Sequence, residues 1–356
     1  MKQLSRLFGL TPGATLNPAR GVRTTLASFL ALLLLADFGH TANGRAVGLG
    51  VLLGVLFTSF CDLGQVPRAR LRAMSALSLG GPLFVALGRS LASPWWQAVL
   101  GVFLVTLLSG PLRVFGPLIS LVGLLLAILF VLSLGIGGGF GTALPAALGF
   151  LLGGALVLLL TLPSSLLEHV RHPAPPPEQS ALMPPLSFVS LRVYYDRRSP
   201  LFWQGLFRAL GAGGAAALTW TLGVAYPQWA PIIVILCIRP DKEASIQAVW
   251  HNFLGTVLGA LLAELFLTRV QNPLAALLIL VVVVFLAFTV KDVNYAFFVF
   301  FKTNLTLLFI SLATPGVSRA RLLVFSVLVG GSIALALTYL SAWMARRQGS
   351  HSTAAS

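Results

Sequence analysis

Phe115–Leu134 reads FGPLISLVGLLLAILFVLSL, twenty residues without one charged side chain. A helix needs about 20 apolar residues to cross the hydrocarbon of a bilayer, and this run has that length. Its apolar residues are continuous, whereas a strand of a transmembrane barrel turns polar at every second position. Working outward toward the N-terminus, similar runs occur at Pro94–Gly110, Ala73–Leu91, Ala46–Phe60 and Val22–Phe38. Toward the C-terminus the next is Gly141–Leu162; beyond a proline-rich interval come Leu201–Ala225, Gln228–Ile238, Gln247–Thr268, Pro273–Val290, Val293–Leu312 and Ala320–Ala345. Twelve apolar segments joined by such short connections have no soluble interpretation. The expected fold is all-α: a polytopic membrane protein of about twelve transmembrane helices.

Composition agrees. Hydrophobic residues make up 57% of the 356 and charged residues 9%, against about 25% charged in soluble domains. The net charge of +15 does not point to nucleic acid, because the basic residues lie between apolar runs rather than in one patch. At helix ends they would meet anionic lipid headgroups. Lys2, Arg6, Arg20 and Arg23 around the start of the first run resemble a signal peptide, but no small-residue cleavage site follows. The segment therefore reads as a retained first transmembrane helix. Cys61 and Cys237 give neither a disulfide framework nor metal spacing and read as small buried side chains.

Cytoplasmic loops carry an excess of Lys and Arg. Placing the N-terminus inside puts eighteen of the 24 basic residues on the inner side and five outside, with Lys302 within a span. The expectation is a multi-pass protein of a bacterial inner membrane with both termini cytoplasmic.

A shift of 179 residues superimposes Asp62 on Asp241, Gly80 on Gly259, Pro94 on Pro273 and Arg113 on Asp292. Arg23 and its neighbours correspond to the stretch around Arg208. Two tandem six-helix repeats follow, residues 1–163 and 201–347, with a proline-rich cytoplasmic linker over 164–200 and a disordered tail over 348–356. Six spans is an even number, so the copies are expected to lie parallel, related by an axis along the membrane normal. Small-xxx-small pairs, Ala76 with Gly80 and Gly255 with Gly259, suit close helix packing. The symmetry further suggests that Arg113 and Asp292, opposite in sign, pair across the axis.

Certain polar residues stand out against this apolar background. The second and eighth runs are short and end in polar turns that contain Asp62 and Asp241. Paired short segments point to a central transport site. Lys302, followed by Thr303 and Asn304 and preceded by Phe300 and Phe301, sits near the middle of a span. A charge there is costly and should face protein, water or a ligand; an ammonium beside aromatic rings and an amide suits a carboxylate on an apolar body. Glu264 lies inside the ninth run and is the candidate, with Asp62 and Asp241, for proton coupling. Arg72, Arg208, Arg239 and His251 lie at the inner ends of spans and form a basic rim that would gather anions. No phosphate-binding loop, metal cluster or nucleophile elbow occurs, so no enzyme activity, catalytic residue, metal or cofactor is expected.

Residues 226–264, YPQWAPIIVILCIRPDKEASIQAVWHNFLGTVLGALLAE, and 294–309, NYAFFVFFKTNLTLLF, carry a family resemblance. They resemble the integral-membrane module of the fusaric acid resistance and aromatic acid exporter family through Trp229-Ala230-Pro231, Asp241, Leu254-Gly255-Thr256, Gly259 and Asn294-Tyr295-Ala296. The first half is similar more weakly, through Asp62, the Arg68–Arg72 run and Gly80. Trp250-His251-Asn252 departs from the family, which often has an arginine at that helix start. The resemblance implies an exporter of aromatic carboxylates, and the plant malate-channel family, whose six-span subunits pair, looks related; the alternatives are a passive anion channel and a membrane scaffold in envelope biogenesis with no transport of its own. The expected partners are a small organic anion and the lipid bilayer, with further copies of the chain as a homo-oligomer a third candidate.

Overall fold

The structure is a computed structural model that describes residues 15–38, 40–62, 67–137, 139–171, 191–192, 194–195, 199–239, 241–270, 272–313 and 320–353. Most of the linker lies outside the described residues. Among the described residues six α-helices precede it: α1 (Pro18–Phe38), α2 (Ala42–Phe60), α3 (Pro67–Ser90), α4 (Trp95–Ser109), α5 (Pro117–Ile136) and α6 (Ala143–Arg171). Six follow it: α7 (Pro200–Thr221), α8 (Trp229–Cys237), α9 (Lys242–Arg269), α10 (Pro273–Val290), α11 (Tyr295–Ala313) and α12 (Ala320–Thr353). Among the described residues there is no sheet.

Helix starts follow local chemistry. Thr41 caps α2 by accepting from the Gly44 N–H at 2.9 Å, and Asp241 caps α9 by accepting from Ala244 at 2.9 Å. Pro117, Pro200 and Pro273 open α5, α7 and α10, where a missing N–H costs nothing. Two boundaries move relative to the sequence expectation. α6 passes through Pro163 to Arg171, and α12 runs past Arg347 to Thr353, so the tail is helical to that point.

Both faces of most helices are apolar, which is the mark of a lipid environment. On α3, Ala73, Met74, Leu77 and Val85 are buried, while Leu79, Leu83 and Leu87 stand exposed four residues apart. In water such a stripe would drive aggregation; in a bilayer it faces acyl chains. Eight helical stretches are long and apolar enough to span, in α1–α6, α9 and α12, and α10 and α11 contain shorter apolar cores. The chain is a polytopic α-helical membrane protein.

The principal packing follows one order in each set of six. Within the first, α2 and α3 pack on α6, α3 on α5, α1 on α2 and α4 on α5; within the second, α8 and α9 pack on α12, α9 on α11, α7 on α8 and α10 on α11. The sets meet chiefly along two seams, α1 against α10 and α4 against α7, with a smaller contact between α5 and α8. In each seam the first helix of one set meets the fourth of the other.

The closest approach is between α2 and α6. A Cβ added to Gly50 or Gly54 would strike the backbone carbonyls of Ala146 or Phe150, and one added to Gly149 or Gly153 those of Val47 or Val51. Backbone contact of this kind admits only glycine. Of the two small-residue pairs read from the sequence, only the second packs this way. A Cβ at Gly255 would lie 2.8 Å from Val299, and one at Gly259 2.6 Å from the Phe300 carbonyl. In the first pair Ala76 is exposed and a Cβ at Gly80 would have 3.7 Å of room. There the lipid-facing side of α3 carries the motif, and Gly88 makes the approach to α5, a Cβ on it meeting the Phe130 carbonyl at 2.6 Å.

Candidate functional site

Polar side chains gather at the end of the bundle where the odd-numbered helices begin. One cluster centres on Asp62, which follows α2 and is 2% exposed. Its carboxylate takes the Arg23 guanidinium of α1 at 2.6 Å, with Arg70 of α3 3.8 Å away. Arg20, fully buried one turn before Arg23, donates to the Asp62 carbonyl and to the Asp292 carboxylate, both at 2.7 Å, and to the Phe288 carbonyl at 2.8 Å. Arg70 reaches Ser165 of α6 at 2.6 Å, and Lys291 donates to the Phe60 carbonyl. This cluster ties α1, α2, α3, α6 and the end of α10 together. Burial, then the nearby Arg20, brings the Lys291 ammonium down to about 8, while Asp292 pulls the other way.

Arg113 and Asp292 do not pair with each other. Each follows the fourth helix of its own set and faces the first helix of the other: Asp292 meets Arg20, and Arg113 donates to Gln204 of α7. Arg208, one turn beyond Gln204, is 1% exposed and donates to Ser109 at 3.1 Å. Tyr194, from the linker, packs its hydroxyl between Gly110 and Gly205. Burial pushes the Tyr194 phenol up, and Arg208 and Arg113 pull it down.

A third cluster lies inside the second set of six. α8 has nine residues, roughly 13 Å of helix, and stops at Cys237 without crossing. Its counterpart α2 is a full 19 residues, so the symmetric shortness expected from the sequence is confined to α8. The polar first turn of α2, Ala42-Asn43-Gly44-Arg45, is helical because Thr41 caps it. Around the end of α8 stand Asn252 of α9, which donates to the Tyr295 hydroxyl at 3.0 Å and lies 3.7 Å from the Cys237 thiol, and His251, whose ring is 6.2 Å from that of Tyr295. The Arg239 guanidinium lies over the Tyr295 ring at 5.4 Å. Arg239 and Lys302 are both within electrostatic reach of Cys237.

Lys302 is half-buried on α11, seven residues from its start and therefore roughly 10 Å along it. Among the described residues it has no carboxylate partner within 4.0 Å. The C-terminal end of α8 faces it with its partial negative charge. Asn304 is fully buried; its amide donates to the Phe300 carbonyl at 3.0 Å, and its side-chain oxygen has no partner. The structure thus brings Lys302, Arg239 and His251 together around Cys237, Asn252 and Tyr295. Arg208 lies at the α4–α7 seam, Arg72 is exposed at the start of α3, and Asp62 sits in the first cluster. Asp241 is an exposed helix cap, and Glu264 is half-buried near the far end of α9 with no ion pair among the described residues. Asn252, Tyr295 and Arg20 went unselected in the sequence. Tyr295 belonged to a motif that carried only the family resemblance, and Arg20 counted as one more basic residue at a helix end.

The cluster sets a half-buried lysine without a carboxylate partner among the described residues near an aromatic hydroxyl and a buried amide, inside a polytopic helical membrane protein. Residues 214–337 match the family described as fusaric acid resistance protein-like, as the residues quoted from this region implied. This segment holds α8–α11 and with them the Lys302 cluster. The chain is also 27% identical over 147 residues to an uncharacterized protein of Synechocystis sp., across 41% of this chain and 20% of the relative. It therefore spans about a fifth of the length of that relative. No solved structure matches it.

Proposed function

We propose that the protein is a transporter that exports organic anions, aromatic carboxylates in particular, across the bacterial inner membrane. The observation that carries this reading is Lys302, a cation at membrane depth without a carboxylate partner among the described residues. Sustaining an ammonium there costs several kcal/mol, of order 2.5–3.5 even on lenient scales, so a function is the economical explanation. The Arg239 and Tyr295 pair at the entrance to α11 suits the face of an aromatic acid, through cation–π and stacking contacts. The family match in the same segment supports the class of transporter.

In this reading the two sets of six are parallel repeats about a pseudo-twofold axis along the membrane normal. The shared packing order and the reciprocal seams support it. The basic ends face the cytoplasm, with both termini there, in keeping with the excess of Lys and Arg. The chain performs no catalysis and uses no cofactor; export draws on an ion gradient, with Glu264 as the proton carrier. Uptake of radiolabelled aromatic and dicarboxylic acids into inside-out vesicles tests this. Accumulation should require the protein and collapse when the proton gradient is removed at constant membrane potential. Flux that persists without the gradient identifies a passive channel, and absence of any anion flux across the panel overturns the reading.

A further inference from the structure

The two seams between the sets of six are built from equivalent helices but differ in charge. At the α1–α10 seam the buried Arg20 meets an acid, Asp292, at 2.7 Å. At the α4–α7 seam the position equivalent to Asp292 is Arg113, so that seam holds two arginines. Arg208 is 1% exposed and Arg113 half-buried. Among the described residues no carboxylate lies within 4.0 Å of either.

What surrounds them is polar and incompletely bonded. Among the described residues, Arg208 spends one hydrogen bond on Ser109 and its Nε has no partner; Arg113 spends one on Gln204, whose amide nitrogen has none. The Tyr194 hydroxyl, 2% exposed, also has no partner. It is brought there past Gly110 and Gly205, since a Cβ on either would overlap it. Two guanidiniums buried side by side repel each other and lose their hydration. Unsatisfied Nε–H, amide and phenol donors around them are the complement of an oxyanion.

We propose that Arg113, Arg208, Tyr194 and Gln204 form a binding site for an oxyanion, a carboxylate or a phosphate, at the α4–α7 seam. The bound group supplies the negative charge that Asp292 supplies at the other seam. It is a site separate from Lys302 and stands whether or not the chain transports anything. The oxyanion comes either from a soluble anion or from a phospholipid headgroup. For the lipid, an apolar groove lined by Trp96, Val99, Leu100, Phe103 and Leu210 runs along the same seam.

Thermal unfolding of the purified full chain in neutral detergent tests the site, with binding rather than flux as the readout. The probes are sodium phosphate, sodium benzoate, and mixed micelles containing phosphatidylglycerol or phosphatidylcholine, all at matched ionic strength. A bound anion should raise the wild-type midpoint by about 3 °C or more at saturation. Arg113→Gln should abolish that rise and Tyr194→Phe should reduce it. Arg269→Gln, which removes an exposed charge at the far end of α9, should keep it. Without any probe, Arg113→Gln should unfold no earlier than wild type, because it removes repulsion. A rise with phosphate or benzoate assigns a soluble anion, and one with phosphatidylglycerol alone assigns a lipid headgroup. The proposal fails if no probe stabilises the wild type, or if Arg113→Gln retains the full rise.

Discussion

The two sets of six helices share a packing order but use their polar residues in opposite ways. In the first, the acid following the second helix, Asp62, is sealed at 2% exposure and held by Arg23 and Arg70. In the second, the acid 179 residues later, Asp241, is exposed and does no more than cap α9. The first set has Gly123 and Leu125 where the second has Lys302 and Asn304. Its second helix crosses fully, whereas α8 stops after nine residues. One set has become a closed ionic scaffold, and the other holds an open cation beside an interrupted helix.

The largest expected break of this comparison is at Asp62. Asp62→Ala leaves Arg23 and Arg70 without their counter-charge in a buried setting and should cost about 3–5 kcal/mol, read as a large drop in unfolding midpoint in detergent. Asp241→Ala should cost only about 1 kcal/mol, the worth of a helix cap. Equal losses at the two positions would erase the contrast.

A smaller contrast concerns helix contacts. Gly259→Ala forces a methyl against the Phe300 carbonyl and should destabilise by about 1–3 kcal/mol. Gly80→Ala, where the added carbon has room, should be neutral or slightly stabilising. Side-by-side melting curves of the two variants decide it, and a neutral Gly259→Ala would show that α9 and α11 are not in close contact.

The smallest effect is one of pH. Lys291 titrates at about 8 in the folded chain, below the ordinary lysine value of 10.5. The unfolded chain therefore binds more protons between those values, and stability rises with pH across that window. The contribution is complete above 10.5 and is lost as pH falls through about 8. Wild type measured against Lys291→Met should gain stability from pH 8 to 10.5, whereas parallel curves would place the ammonium in water. Amine-directed labelling of Lys291 should show its midpoint near pH 8 in the same experiment.

Much of the architecture was legible because the bilayer imposes a length on every apolar run. All twelve expected spans are helical, though among the described residues only eight stretches are long and apolar enough to cross, and Lys302 was conspicuous as a charge inside one of the expected spans. What the sequence concealed depends on which helices meet. Asp62 and Arg20 are 42 residues apart, and nothing local says that α1 returns to the end of α2. The expected pairing of Arg113 with Asp292 failed because each lies against the other set's first helix, where Gln204 and Arg20 stand. The shortness of α2 was misread because a polar first turn lowers hydropathy without ending a helix. Tyr295 and Asn252 carried no charge to draw attention, and only the fold sets them beside Cys237.

The central claim is that Lys302 recognises the transported anion, and flux through variants at that position tests it most directly. Native protein, Lys302→Arg and Lys302→Met would be reconstituted at equal folded amounts and assayed with whichever aromatic acid the native protein moves. The account predicts that Lys302→Met folds at least as stably as native, since it removes a costly charge, and loses at least about tenfold in flux, the worth of one charge-assisted contact. Lys302→Arg should retain part of it. Native flux in Lys302→Met would contradict the account and return the lysine to the role of a structural charge held by the end of α8.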